Sequence, residues 1–362
     1  MLYQTFPYES VRSFCLKVFS GYGFSSRECD IITDVLLCAD LFGIESHGIQ
    51  RLIRYHSEIG DGMVKVDAQS TTMHETPVSA VLDADKGMGQ VVGVHAMELA
   101  IQKAKTSGIG MVSVRNSNHY GIAGYFADMA VREDLMGICM TNTEAIAVPT
   151  FGKKAMLGTS PIALGFPAEP VSFLFDAATT VVPRGKIEVY NKNEKPLPEG
   201  WAVDTAGYPS QDAGEILNSI IGKLGGGIAP LGGSGDLHGG HKGYGFGIIV
   251  DIFTGILSSG MTSNHVNVTK GQTDIAHFFM ALDYTLFGDK KAIKEHFSTF
   301  LQELRDSPKA DGGERIYIHG EKEFESRDRK LIDGVPINEK TLDEMRMIAG
   351  FHGINISDYL SA

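Results

Sequence analysis

The chain has 362 residues, of which 43% are hydrophobic and 21% are charged, and its formal net charge at pH 7 is −12. This composition is typical of a globular protein that is long enough for about two domains. The acidic balance argues against nucleic-acid binding, and no apolar run approaches the roughly 20 residues that cross a bilayer.

The N-terminus and the cysteines predict a cytoplasmic protein. The first residues, MLYQTFPYESVRSF, contain Glu9 and lack the apolar core of a signal peptide. Without CxxC spacing, the cysteines are expected to be reduced and buried rather than catalytic or bridged. They are Cys15, Cys29, Cys38 and Cys139.

Residues 8–60 are predicted to be helical. Apolar residues at helical spacing indicate one helix over residues 11–23 and another over residues 27–43, which Ser25 and Ser26 precede as caps. A third helix is predicted over residues 47–60, with Ser46 as its N-cap.

From about residue 78, predicted strands alternate with helices. Strands are predicted over residues 79–85, 108–116, 136–143, 161–168 and 171–182, with further strand candidates at 264–268 and 277–284. Helices are predicted over residues 91–108, 124–135, 242–260, 289–306 and 341–351, the 242–260 helix being buried. Residues 191–240 are predicted to be loops. The order predicts an α/β fold whose terminal helices pack together as a second domain.

Ser46, His47 and Arg51 form the first candidate site. On a helix capped by Ser46, His47 and Arg51 share one face four residues apart, close to the partial positive charge of the helix N-terminus. Imidazole and guanidinium together can bind a carboxylate. The alternative is a surface histidine beside a salt-bridged arginine.

His119 is the second candidate. It follows the apolar run 108–114 and the polar run 115–118, and it precedes Gly121 and Gly124. A histidine where a strand gives way to a loop can present its imidazole for proton transfer near neutral pH. The alternative is a structural histidine that is hydrogen-bonded to backbone.

Three further segments are candidates for nucleotide contacts. Gly87, Gly89 and Gly93 give GxGxxxG after a predicted strand, which departs from the Rossmann spacing GxGxxG and does not favour that fingerprint. Asp176 follows an apolar strand, where an acid can hold a ribose or orient a catalytic imidazole, or can act as an ordinary cap or turn residue. The 242–260 helix begins with Lys242 and Gly243, where backbone amides can hold phosphate, or where small residues simply allow close packing.

These motifs occur in the order seen in the type 2 malate/L-lactate dehydrogenase family, which the chain resembles from about residue 40 to 260. The matching stretches are GIESHGIQR, GIGMVSVRNSNHYGIAGYFA, AMLGTSPIALGFP, FDAATTVVPRGKI, PEGWAVD, PLGG and HKGYGFGIIVDIFTG. Ser46, His47 and Arg51 match the SHGxxR substrate motif, and His119 matches the histidine of NHxG. Stretches that contact the cofactor in the family match at Thr159, Asp176, Lys242, Gly243, Gly320 and Glu321. Gly320 and Glu321 match the last two residues of the family's PGE tripeptide, but His319 replaces its proline.

The resemblance implies a non-Rossmann α/β fold that binds NAD or NADP, and a homodimer. It implies an NAD(P)-binding α/β domain over residues 76–285 and a mostly helical domain formed by residues 1–75 and 286–362. No metal site is predicted, because His238 and His241 lack a nearby carboxylate at ligand spacing.

The predicted activity is reversible hydride transfer between a nicotinamide and a small 2-hydroxy or 2-oxo carboxylate, such as malate or L-lactate. One of His47 and His119 would transfer the proton, the other would hold the substrate oxygen, and Arg51 would bind the carboxylate. Two alternatives remain: reduction of cyclic imino acids on the same scaffold, and a catalytically silent protein that keeps the pocket to bind a ligand.

Overall fold

The computed structural model describes residues 3–269 and 271–360 as an α/β fold. Its strands are β1 Tyr3–Phe6, β2 Thr71–Glu75, β3 Ser79–Asp83, β4 Ile109–Ser117, β5 Met136–Thr141, β6 Ile162–Phe166, β7 Phe173–Ala177, β8 Ala202–Val203, β9 Pro209–Ser210, β10 Gly227–Ile228, β11 Ile275–Leu282 and β12 Val335–Asn338. Its helices are α1 Tyr8–Tyr22, α2 Ser26–Leu41, α3 Leu52–Gly60, α4 Gly89–Ser107, α5 Ala123–Arg132, α6 Arg184–Lys192, α7 Ala213–Gly222, α8 Gly240–Asp251, α9 Lys290–Asp306, α10 Glu321–Asp333 and α11 Glu339–Phe351.

A seven-stranded mixed sheet forms the centre of the molecule, in the order β2-β3-β4-β11-β5-β6-β7. Only the β3–β4 pair of this sheet is parallel, and its other pairs are antiparallel. A Rossmann fold has a mostly parallel, doubly wound sheet. The predicted α/β class and its departure from the Rossmann topology are therefore confirmed.

Helices α4 and α5 cover one face of this sheet. Val112 and Val114 of β4 and Phe279 of β11 point into the same buried cluster as Met97 of α4 and Phe126 of α5. Alternating residues of β4 are apolar, which places one side of the strand against these helices. Burying such side chains contributes about 1.5–3 kcal/mol each, so this layer holds β4, and the residues that follow it, in a fixed position.

The two ends of the described chain meet in a second core. Strand β1 pairs antiparallel with β12, and Phe14 and Phe19 of α1 share a buried cluster with Ile337 of β12 and Met345 of α11. Two elements bear on the predicted domain boundaries: β2 belongs to the central sheet, and Phe297 of α9 packs against β6 and β7 rather than in the terminal core. The division at residues 75/76 and 285/286 stays a prediction.

The predicted third helix, over residues 47–60, is wrong in its first turn. Residues Glu45–His47 and Ile49–Arg51 form two 3₁₀ turns, and α3 begins only at Leu52. Gly48 separates the turns with φ −87° and ψ −147°, an extended conformation that no helix can include. Ser46 is therefore not an N-cap.

Two other expectations on secondary structure are corrected. Residues 264–268 form turns instead of a strand, because the His265 and Val266 amides donate to Thr262 O and Asn267 has φ 56°. Residues 191–240 are more regular than predicted, since they contain α7 and a small sheet of β8, β9 and β10. Their apolar side chains form a separate small core that flanking glycines conceal in the sequence.

Helix α8 is present where predicted, but its apolar side is not buried within the chain. Gly243 and Gly247 face inward, where they pack against Leu231 and Leu157. The large apolar side chains point outward, with Phe246 46% exposed. A π-helical turn, Ile252–Ile256, continues α8 and extends the same outward face. Within the described residues, no helix has both the length and the hydropathy to cross a membrane.

Candidate active site

The two candidate histidines meet, although 72 residues separate them in the sequence. The rings of His47 and His119 are stacked with centroids 5.6 Å apart and planes inclined by 26°. Tyr55 of α3 completes the group, with its hydroxyl 2.8 Å from His119 Nδ1. Ser46 Oγ lies 2.9 Å from His47 Nδ1. The predicted convergence of the SHGxxR and NHxG segments is thus present in the structure.

His119 is held in place by the residues that follow β4. The Asn118 side chain donates to the carbonyl oxygens of Lys86 at 2.8 Å and Gly87 at 3.0 Å, and it accepts from Thr273. A methyl group at Gly89 would overlap the backbone carbonyls of Asn118 and His119. The glycine turn before α4 therefore serves close packing against His119. Nothing about this packing requires a phosphate.

Buried His277 supports the same segment from the sheet. Its Nε2 lies 3.0 Å from Ser117 Oγ and 3.2 Å from Asn118 O, and its Nδ1 lies 2.8 Å from Thr141 Oγ1. Burial lowers the pKa of His277 to about 3. A neutral ring with both nitrogens hydrogen-bonded positions Asn118, and through it the backbone of His119.

Both site histidines are neutral in the substrate-free protein. Burial, together with the charges of Arg51 and Arg54, lowers the pKa of His47 to about 4. Burial, Arg54, His47 and Arg51 also lower the pKa of His119 well below its ordinary value. Burial raises the pKa of Tyr55, which therefore keeps its hydroxyl proton. A neutral imidazole has one N–H and one lone pair, so it can accept a proton from a ligand.

Arg51 presents an unused guanidinium to this group. Its Nε donates to Ser46 O at 2.5 Å. Within residues 3–269 and 271–360, its Nη1 and Nη2 have no hydrogen-bond partner, and no carboxylate lies within 4.0 Å. By contrast, Arg54 is paired with Glu58 at 2.7 Å. Burial lowers the pKa of Arg51, and Arg54 adds to this effect. The surface ion pair considered from the sequence is therefore absent, and two parallel donors are available for a carboxylate.

Three of the candidate cofactor residues, Thr159, Lys242 and Gly243, lie near one another through two hydrogen bonds and one close packing contact. The Thr179 amide donates to Thr159 O at 2.9 Å, and the Leu231 amide donates to Thr179 O at 2.8 Å. Leu231 in turn packs so closely on Gly243 that a methyl group there would overlap its backbone. Thr159 and the start of α8, which carries Lys242 and Gly243, thus border one region.

Asp176, at the end of β7, caps α5. Its Oδ2 accepts from the Gly124 amide at 2.7 Å. Burial raises the pKa of Asp176 to about 6, although this hydrogen bond lowers it in part. The carboxylate joins β7 to the helix that follows His119. Its proposed contact with the cofactor stays a prediction.

Gly320 and Glu321 stand at the start of α10, beside β7. The Leu174 amide donates to His319 O at 3.1 Å, and Gly320 has φ 99°. Glu321 is buried, and its carboxylate binds Arg305 at 2.6 Å, Arg315 at 2.9 Å and the Ile318 amide at 3.1 Å. Burial opposes ionisation of Glu321, but these partners lower its pKa on balance. A cofactor contact through this carboxylate would have to displace one of these bonds.

Tyr55 and His277 were missed by the sequence interpretation. Tyr55 stands four residues after Arg51, and a polar residue at that spacing was the available signal. His277 is a lone polar residue in the apolar run HFFMALDY. Neither signal identifies the partner, because His119 and Asn118 are distant in sequence.

Two concavities lie beside the candidate cofactor segments. One, of about 210 Å³, is bordered by Pro149 and Pro230. The other, of about 370 Å³, is bordered by Tyr244 and Ile252 of the α8 segment. His47, His119 and Arg51 line neither of them. Among the described residues, no group of three or more His, Cys, Asp or Glu side chains is placed to hold a metal ion.

Comparisons with known proteins identify the family of the chain. A match to the malate/L-lactate dehydrogenase family spans residues 6–346. A malate dehydrogenase of Pyrococcus abyssi is 45% identical over 353 residues, covering 97% of this chain and 96% of that protein. An L-sulfolactate dehydrogenase of Methanocaldococcus jannaschii is 35% identical over 359 residues, covering 97% of this chain and 98% of that protein.

Solved structures give the same result. The crystal structure of malate dehydrogenase from Entamoeba histolytica matches with a TM-score of 0.93 and 34% identity, and the match covers 98% of this chain and 99% of that chain. As its sequence motifs predicted, the chain belongs to the malate/L-lactate dehydrogenase family of oxidoreductases.

Proposed function

We propose that this protein is an NAD(P)-dependent dehydrogenase of small 2-hydroxy carboxylates such as malate or L-lactate, and that it acts in the cytoplasm. The observation that carries the proposal is the unpaired guanidinium of Arg51 beside the His47–His119–Tyr55 group. The four cysteines, all buried and unbridged, suit a reducing compartment.

The region near Thr159 and α8 fits a dinucleotide. Lys242 lies in the first turn of the 12-residue helix α8 and is in no ion pair among the described residues, so its charge and the helix N-terminus both favour a pyrophosphate. The concavity bordered by Pro149 and Pro230 has a mostly apolar border that suits the flat rings of a nucleotide. Thr159, Lys242 and Gly243 would hold the cofactor, and Asp176 and Gly320 would border it. When bound, NAD(P) accepts or returns the hydride.

Arg51 orients the substrate. Its two terminal nitrogens bind the carboxylate as a fork, which fixes the position of the neighbouring C2 atom and its oxygen. The bound carboxylate also neutralises the charge that lowers the pKa of both histidines. Binding of the substrate therefore raises the affinity of the imidazoles for a proton.

His119 is the proton acceptor in the oxidation of the 2-hydroxy acid, and His47 holds the same oxygen. The reason is Tyr55: if His119 Nδ1–H donates to the Tyr55 oxygen, the lone pair on Nε2 is free for the substrate hydroxyl. When His119 takes the proton, both of its nitrogens become donors, and Tyr55 still accepts from Nδ1. In the reverse direction, the imidazolium returns the proton to the new alkoxide.

A substrate and cofactor panel tests the proposal. Malate, L-lactate and sulfolactate are offered with NAD and with NADP, and cyclic imino acids are offered with the reduced cofactors. Turnover of at least one 2-hydroxy acid, lost in His119→Ala, is the expected result. Activity on imino acids alone would favour the imino acid reductase. Cofactor binding without any turnover would favour the silent binding protein.

The chain is further proposed to form a homodimer through the outward face of α8 and its π-helical turn. This face presents large exposed apolar side chains, and the one charged residue between them in the sequence, Asp251, is buried. The exposed side chains are Phe246, Ile248, Ile249, Ile252, Ile256 and Leu257. Contiguous apolar surface of this kind marks interaction sites. A patch without charge can pack against its own copy in an isologous interface.

A further inference from the structure

The buried carboxylate of Asp40 is not used by the mechanism above. Asp40 is the penultimate residue of α2 and is 3% exposed. Its Oδ2 accepts from the Ile49 amide at 2.7 Å. Ile49 opens the 3₁₀ turn that carries Arg51, and the preceding turn carries His47. One carboxylate therefore fastens the backbone between the two residues that face the substrate.

Gly48 shows how closely this carboxylate is fitted. A methyl group at Gly48 would overlap all three atoms of the Asp40 carboxyl group. The glycine of the SHG sequence is thus required by Asp40, since its φ of −87° is open to any residue. The fit gives the backbone of residues 47–51 one position relative to α2.

We propose that Asp40 is a positioning residue that, by holding the Ile49 amide, sets the affinity of Arg51 for the substrate carboxylate. This inference rests on the proposed function, in which Arg51 binds a carboxylate. Asp40 does not touch the substrate in this assignment. Its effect reaches the site through the backbone of residues 48–51.

The charges around Asp40 make this contact sensitive to pH. The pKa of Asp40 is raised to about 7, because burial and the charge of Glu45 outweigh the lowering effects of the Ile49 amide and of Lys330. Lys330 of α10 also donates to the Asp40 carbonyl at 2.6 Å, and the Cys15 thiol of α1 lies on a further side. An ionised carboxylate is the stronger acceptor, so the turn is held most firmly above pH 7 and loosens below it.

The test compares Asp40→Asn with the wild-type protein. The amide oxygen of asparagine can still accept from Ile49, but it carries no charge and does not titrate. At pH 8 we expect the KM for the 2-hydroxy acid to rise roughly three- to tenfold, since a neutral hydrogen bond is about half as strong as a charged one. The kcat and the KM for the cofactor should stay within about twofold. The rise of the wild-type KM as the pH falls through about 7 should be absent in the variant.

Two further variants serve as a control and as a second test of the Asp40 contact. Asp34→Asn is the matched control, because Asp34 lies on the same helix, where it faces Arg12 at 3.5 Å and is 47% exposed, and this change should leave the KM profile unaltered. Gly48→Ala should push the carboxylate away from Ile49 and raise the KM at every pH. If Asp40→Asn fails to fold, the KM of Gly48→Ala and the pH profile of the wild-type KM decide whether Asp40 sets the affinity for the substrate.

A second readout does not depend on turnover. Hydrogen–deuterium exchange of a peptide covering residues 45–52 should be slower in the wild type than in Asp40→Asn at pH 8, after correction for the intrinsic rate, and this difference should shrink at pH 6. A KM profile and an exchange rate that Asp40→Asn leaves unchanged would overturn the inference, even where the wild type is an active dehydrogenase. Absence of turnover in the wild type, with the exchange difference intact, would instead overturn the proposed function.

Discussion

At the scale of single residues, the site depends on groups whose charge or hydrogen-bonding capacity is left free. Arg51 keeps two donors without a partner in the described chain, and His119 is neutral because it is buried among cations. The unpaired guanidinium of Arg51 costs stability in the absence of a ligand, since buried charges and polar groups without partners are unfavourable. Both features indicate a site that is completed by an anion.

Arg51→Lys tests the carboxylate contact. Lysine keeps the charge but cannot form two parallel hydrogen bonds. We expect kcat/KM for the 2-hydroxy acid to fall roughly ten- to a thousandfold, with little change in cofactor affinity. Steady-state kinetics and cofactor titration measure both quantities. An unchanged kcat/KM would mean that Arg51 does not bind the substrate.

Tyr55→Phe tests how His119 is oriented. Phenylalanine fills the same space but removes the acceptor for His119 Nδ1–H. We expect kcat to fall roughly ten- to a hundredfold while the KM changes less, because general acid–base catalysis contributes about 10²–10⁴ and the ring would be only partly misdirected. The pH at which kcat/KM for oxidation declines should also shift. A variant with wild-type kcat and pH profile would exclude this role for Tyr55.

At the scale of elements, close backbone contacts place the site residues. The start of α4 touches the backbone of Asn118 and His119, and His277 of β11 bonds to the same segment. The glycine pattern Gly87/Gly89/Gly93 therefore has a structural explanation. Gly93 faces the Phe126 ring, where a methyl group would also overlap.

Gly89→Ala should disturb His119 without changing any site side chain. The added methyl group meets backbone atoms, which cannot move aside as a flexible side chain would. We expect a loss of about 1–3 kcal/mol in the free energy of unfolding and a fall in kcat. Urea denaturation and kinetics report the two effects.

Gly350→Ala in α11 is the matched control for Gly89→Ala. Nothing lies within 4 Å of a methyl group at that position. Alanine is a better helix former than glycine, so Gly350→Ala should be neutral or slightly stabilising. If Gly89→Ala behaved like Gly350→Ala, the close contact with His119 would not matter for catalysis.

At the scale of the whole molecule, Asp40 links catalysis to stability. Its pKa is about 7 in the folded protein and 3.8 by ordinary value, so the unfolded chain releases this proton first. Between about pH 4 and pH 7 the folded state therefore binds more protons, and rising pH lowers the stability. Above pH 7 the Asp40 carboxyl group is ionised in both states, so its destabilising effect on the folded protein no longer changes with pH. The hydrogen bond from the Ile49 amide to the ionised Asp40 is therefore kept, although burying this charge destabilises the folded protein.

Asp40→Asn removes this titration. We expect its Tm to exceed that of the wild type, with a difference that grows from pH 4 to pH 7 and then levels off. Thermal denaturation across this range measures it. A difference independent of pH would show that Asp40 does not titrate as the structure indicates.

The proposed homodimer is tested by a charge in the outward face of α8. Ile256 is 57% exposed in the single chain, and Ile256→Glu would place an unpaired charge in the interface. Sedimentation should change from twice the chain mass to the 39.2 kDa of one chain. Ile332→Glu, at an 86% exposed residue of α10, is the control and should leave the dimer intact. A wild type that is itself a monomer would overturn this part of the proposal.

The sequence by itself determined the family, the long periodic helices and three of the polar groups at the site. Local patterns suffice for these features, because the alternation of apolar residues follows the period of each element and the motifs are contiguous. His47, His119 and Arg51 were predicted for this reason. The sequence did not predict the short strands β8, β9 and β10, since each pairs with a separate segment of the chain. It did not predict the two 3₁₀ turns either, since their backbone is held by the contact of Asp40 with the Ile49 amide.

Only the tertiary structure decided how these groups act together. It joined segments far apart in sequence, set Tyr55 against His119, and left Arg51 without a carboxylate among the described residues. It also turned the apolar face of α8 outward, which periodicity could not reveal because the same residues would suit a buried helix. Burial and long-range charge set the pKa values of the site, and both depend on which distant side chains the fold brings near.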